Sequence, residues 1–154
     1  FDKDCVRPPA NIITHDDEHW IYYLATNERW GARRWDARLA LAKLRLDGFF
    51  FLEAKDDWGQ VTTKPFRLEG DTLELNIDAS DGQFLVEVLD ENHRPIVSGE
   101  QQYDWDNNRV LSGVDALRIE PRWGGERNLE PLRGEVVRLR FHLRNAKFYS
   151  FQIR

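Results

Sequence analysis

The stretch VVRLRFHLR, Val136 to Arg144, alternates without a break. Val137, Leu139, Phe141 and Leu143 fall on one side, and Arg138, Arg140, His142 and Arg144 on the other. A period of two places successive side chains on opposite faces of an extended chain. One apolar and one charged face describe a strand of an antiparallel sheet with a single buried side. The same pattern recurs on either side of it. DTLELNIDA sets Leu73, Leu75 and Ile77 against Thr72, Glu74 and Asn76, and QFLVEVLD sets Phe84, Val86 and Val88 on one face. FFFLEA, QVTTKPFRL and FYSFQIR add further short segments. Turn signals fall between them at LEGD, ASDG, DENHRP and PLRGE. Several short strands at this spacing predict an all-β fold, an antiparallel β-sandwich or jelly roll, over residues 43–154.

Upstream, NIITHDDEHWIYYLA (Asn11 to Ala25) carries two apolar runs around the polar turn HDDE, which predicts a β-hairpin. Ala37 to Leu46 suits a helix by composition. The alternation through Lys43 to Leu46 and the Asp47–Gly48 turn favour a strand. Residues 1–42 are expected to form a hairpin and loop distinct from the sandwich.

Length and composition limit the function. A chain of 154 residues suggests one domain and is long enough for a sizeable core. No apolar run approaches the roughly 20 residues of a membrane-spanning helix, so no membrane partner is expected. With 22 basic and 27 acidic residues the net charge is -5, which argues against a phosphate-binding surface and a nucleic-acid partner. The chain has 0 Met and opens at Phe1, so it is expected to be a piece of something longer. The single Cys5 cannot form an internal disulfide and reads as an inert thiol.

RLDGFFFLEA, VTTKPFRLEGDTLELNIDASDGQFLVEVLDENHRPI and the later GVDALRIEPRWGG, NLEPLRGEVVRLRFHLRNAKFYSFQI together resemble the C-terminal β-sandwich of secreted proteins that carry a five-bladed β-propeller of the glycoside-hydrolase type. The likeness runs from about Arg45 to Ile153 and lies in the combination of motifs. NIITHDDEHWIYYLATNERWG is similar to the last blade of such a propeller, so residues 1–42 would be its remnant and a preceding propeller domain a partner in the parent chain. The resemblance implies a secreted or extracytoplasmic protein and a polysaccharide or oligosaccharide partner. The family's catalytic acids come from several blades around a funnel, so hydrolysis is not expected from this piece. Trp58 and the loop YDWDNN, Tyr103 to Asn108, depart from the family pattern.

Acid clusters such as Asp16, Asp17 and Glu18, or Asp104 and Asp106, read as solvated turn residues before they read as a catalytic pair. His15 and His19 would share a face on a helix, but their flanks read as a hairpin, so no zinc site is expected. The Asp and Asn oxygens of DWDNN have the composition of a structural calcium site, the one cofactor this sequence suggests. The tryptophans carry more information. Trp20 and Trp123 read as core, as do Phe49, Phe51, Phe84, Phe141, Phe148 and Phe151. Trp30, Trp35, Trp58 and Trp105 each stand in a polar stretch, where burial does not explain them. An indole covers the apolar C–H face of a pyranose, and neighbouring carboxylates and carboxamides hydrogen-bond its hydroxyls. Trp58, Tyr103, Asp104, Trp105, Asp106 and Asn107 are therefore the candidate carbohydrate-binding residues. A domain interface and plain local packing compete with sugar stacking for the same rings. Three functions follow: a non-catalytic carbohydrate-binding module, a structural module that buttresses a propeller, and a small glycoside hydrolase. The Arg row of RLRFHLR reads as solvent exposure or cross-strand pairing with acids, with an anionic glycan as the less favoured alternative.

Overall fold

A computed structural model describes residues 1–29, 31, 33–34, 36–124 and 128–154. Trp30 and Trp35, singled out above, lie outside the described residues. The chain is all-β and divides into two compact units, Phe1–Phe49 and Phe50–Arg154.

The first unit is one four-stranded sheet. β1 (Cys5–Arg7) and β2 (Ile13–His15) both pair with one side of β3 (Glu18–Thr26), and β4 (Arg38–Arg45) pairs along the other. The hairpin expected around HDDE is β2–β3, with Asp16 at φ 52 in its two-residue turn. Asp tolerates that left-handed conformation better than most residues. The expectation of a strand over 37–46 holds as well. The division falls after Phe49 and not after Ala42, because β4 runs on to Arg45, opposite Glu18. His15 faces Glu18 and His19 faces Thr14, so the two imidazoles occupy adjacent register positions, which project to opposite faces of the sheet. Trp20 was expected in a core and is only half-buried, since this sheet is a single layer. Its ring stacks on His15 at 4.8 Å, Lys43 Nζ lies 4.5 Å above it, and its Nε1 donates to Glu18. Hydrogen bonds from Lys43 and then Trp20 hold the Glu18 carboxyl below its ordinary pKa.

The second unit is an antiparallel β-sandwich. Its strands are β5 (Leu52–Ala54), β6 (Gly59–Thr62), β7 (Phe66–Arg67), β8 (Leu73–Leu89), β9 (Val97–Ser98), β10 (Gln101–Gln102), β11 (Leu111–Ile119), β12 (Val136–Arg144) and β13 (Ala146–Ile153). A 3-10 turn, Glu130–Leu132, precedes β12. Two separate strands were expected across ASDG, but β8 is continuous for 17 residues and bends there. Its inward residues change parity at the bend: Leu73, Leu75, Ile77 and Ala79 before it, Phe84, Val86 and Val88 after it. The partner chain does the same at Asn145 (φ 46), with Val137, Leu139, Phe141 and Leu143 inward before it and Ala146 and Phe148 after it. β12 pairs with the second half of β8 and β13 with the first. Two paired strands therefore turn one corner together, and each contributes to both layers. Phe148 from one layer meets Phe141 at 4.4 Å and Phe84 at 5.4 Å from the other.

Some aromatic residues expected in the core lie elsewhere. Phe49 and Phe51 are each 48% exposed, and the strand after Phe51 is a three-residue edge strand that covers little. Phe151 sits at the rim of the aromatic cluster, 5.3 Å from Phe141. Trp123, Phe84, Phe141 and Phe148 are buried as expected.

Candidate functional site

Trp58 closes the turn between β5 and β6. Those strands belong to opposite layers, since β5 pairs with β13 and β6 with β12. The turn is tied to the corner by Asn145 N–H, which donates to the Lys55 carbonyl at 2.8 Å. Gly59 stands opposite Leu143, so Trp58 comes alongside Arg144, and the Arg144 guanidinium lies 5.2 Å from its ring centre. That distance suits a cation–π contact.

Trp105 belongs to the loop between β10 and β11, which is braced at both ends. At the start, the Tyr103 carbonyl accepts from Val88 N–H and Tyr103 N–H donates to the Ile96 carbonyl. Its ring is fully buried, 5.3 Å from Trp123. At the end, the buried Asn108 accepts from Val86 N–H through Oδ1 and donates to the Arg122 carbonyl through Nδ2. Between these anchors, Asp104 Oδ1 accepts from the Asn107 backbone N–H at 2.9 Å and from Asn107 Nδ2 at 2.8 Å, local bonds that fix the loop tip. Asn107 Nδ2 also donates to Gln102 Oε1.

The two tryptophans, 47 positions apart in sequence, come together. Their ring centres are 4.8 Å apart at an interplanar angle of 72°, an edge-to-face pair worth about 0.5–1.5 kcal/mol beyond the area it buries. Trp105 also meets the His142 ring edge-to-face at 4.7 Å. Below it, His142 Nε2 lies 2.7 Å from Glu87 Oε2. A carboxylate only accepts, so Nε2 carries the hydrogen and donates. Arg140 Nη1 reaches the same Glu87 oxygen at 3.4 Å. The cross-strand pairing expected for the Arg row is thus present at Arg140, while Arg144 donates instead to Gln83. Trp58 and Trp105 remain 38% and 37% exposed. More than a third of each residue is open, so neither is sealed beneath the loops.

Of the six candidate residues, Trp58 and Trp105 form the centre. Asp106 is exposed at the loop tip. Asp104 and Asn107 stand beside it, but much of their hydrogen-bonding capacity goes into holding the loop. Tyr103 does not belong to the surface: its ring is core, and its place in a contact set is corrected accordingly. Sequence reading did not connect His142, Arg144 and Gln83 to this site. The alternation of VVRLRFHLR placed His142 and Arg144 on the outer face, but nothing in it tells which loops cover that face.

Among the described residues, no group of three or more His, Cys, Asp or Glu side chains converges on a metal position. No family model, no curated protein and no solved structure matches this chain.

Proposed function

We propose that the Trp58–Trp105 pair is a carbohydrate-contact surface on a non-catalytic accessory module of a secreted glycan-processing protein. The observation that carries this reading is the pair itself. Two half-open indoles from distant loops are brought together and held at fixed angles by a braced loop and a tied turn. Rigid aromatic surfaces bind with little loss of side-chain entropy. The Asp106 carboxylate and the remaining Asp104 and Asn107 oxygens lie at the same loop tip as Trp105 and suit sugar hydroxyls. One observation favours a second reading. Trp105 also roofs His142 and, through it, the Glu87 pair, which is what a structural role for the ring would need.

The two readings separate in affinity gels containing plant or algal polysaccharides. A sugar-contact role predicts retardation of the native protein by at least one of them. Trp58→Ala and Trp105→Ala should each weaken it by about 2 kcal/mol, the scale of an aromatic hot spot, or roughly 30-fold in affinity. Near-ultraviolet circular dichroism of the variants should keep the native core signal. Retardation unchanged in both variants, or absent with every polysaccharide, would leave the structural role.

A further inference from the structure

A second feature lies on the other flank of β8. A groove of about 370 Å³ runs along β11, lined among others by Arg109, Ser112, Arg118, Glu120 and Arg122. Its size falls within the roughly 300–1,000 Å³ of small-ligand sites. Among the described residues β11 pairs only with β8, so its other edge is open.

Two of the arginines are set directly opposite each other. Asn108 and Trp123 form a bridge, and Arg109 N–H donates to the Arg122 carbonyl at 2.8 Å. Antiparallel register therefore pairs Arg109 with Arg122, with Cβ atoms roughly 5 Å apart. Like charges at such positions repel. Among the described residues neither guanidinium has an acidic partner, whereas Arg118 and Glu120 are already engaged. Two adjacent guanidiniums without an acidic partner among the described residues are suited to a carboxylate, which they can take through parallel hydrogen bonds.

Ser112, one wall of the groove, lies on the same side of the sheet as the indole pair. Ser112 is the register partner of Gln83, and Gln83 is the partner of Arg144. Register partners share a face, and two strand spacings amount to roughly 10 Å. Arg144 lies against Trp58, so a ligand crossing β12, β8 and β11 runs from the indole pair to the Ser112 wall of the groove.

We propose that the β11 groove binds the carboxylate of an acidic sugar through Arg109 and Arg122, so that the glycan taken by this module is a uronate-bearing one. This rests on the carbohydrate reading of the indole pair. The test is a titration of the native protein followed through the side-chain Nε–Hε signals of Arg109 and Arg122 in nuclear magnetic resonance spectra. Sodium glucuronate, its neutral methyl ester and sodium acetate are the three probes. Glucuronate should shift both signals saturably, with the ester and acetate each at least about tenfold weaker. Arg109→Gln and Arg122→Gln should each remove the shift at the remaining arginine. Signals that do not move with glucuronate overturn the proposal, as does acetate binding as tightly as glucuronate, which would mean a bare anion site. The indole signals of Trp58 and Trp105, followed with neutral and uronate-bearing oligosaccharides, report separately on the carbohydrate reading. Indoles that move while the arginines stay silent sink the groove alone. Arginines that respond while the indoles never do sink the indole reading, and with it the shared glycan, and leave only a uronate site at the groove.

Discussion

Gly82→Ala should destabilise the sandwich unit by about 3 kcal/mol, at the upper end of overpacking effects, and lower its unfolding midpoint by roughly 10–20 °C. A Cβ at Gly82 would stand 2.1 Å from the Asn145 carbonyl oxygen and 2.2 Å from that of Arg144. Both are backbone atoms of the partner strand at the shared corner, so no rotamer change relieves the clash. The two bent strands must separate where β12 passes into β13. Gly113→Ala is the comparison. Gly113 has φ 66 but open space around its Cβ position, so only backbone strain of about 1 kcal/mol is expected. Thermal and urea unfolding of the two variants, followed by fluorescence, gives both values. A Gly82→Ala loss no larger than that of Gly113→Ala would contradict the close approach of the strands at the corner.

Trp123→Ala should cost about 3–5 kcal/mol, the range for removing a large buried aromatic side chain. Trp123 is fully buried, packs on Tyr103, and donates from Nε1 to the Val86 carbonyl at 2.8 Å. Trp123→Phe keeps much of the volume but leaves that carbonyl without its partner, at about 1–3 kcal/mol. The effect reaches the site. Trp123 bridges Asn108, and Asn108 anchors the end of the loop that carries Trp105. The phenylalanine variant should therefore remain folded yet hold Trp105 less firmly, with weaker polysaccharide retardation than the native protein. Urea unfolding measures the stability, and a loss below about 1 kcal/mol for Trp123→Ala would contradict its place at the centre of the core.

The inward faces of the strands were legible because burial on one side of a sheet imposes a period of two. Val137, Leu139, Phe141 and Leu143, then Leu73, Leu75 and Ile77, and Phe84, Val86 and Val88 all fall inside as the alternation requires. The corner was not legible. Gly82 and Asn145 look like turn residues in isolation. Only the pairing of β8 with both β12 and β13 shows that they bend two strands together and do not end them. Trp58 and Trp105 were recognisable as rings that local burial does not explain. Their meeting was not, since it depends on Gly59 pairing with Leu143 and on the anchoring of the loop by Tyr103 and Asn108. Tyr103 was misread because it shares a polar hexapeptide with Trp105. Its backbone is bonded to Val88 and Ile96, which turns its ring into the core while Trp105, two positions on, faces out.

The paired indoles on the outer face of β12 are proposed to be touched by a sugar. It is tested by a titration of the native protein, uniformly labelled with nitrogen-15, with neutral and uronate-bearing plant and algal oligosaccharides. The indole Nε1–H signals are assigned beforehand by single substitutions. The expected result is a saturable shift of the Trp58 and Trp105 signals with at least one oligosaccharide, while the buried Trp123 signal stays in place. Signals of Trp58 and Trp105 that hold still throughout, or that move no further than that of Trp123, would contradict it.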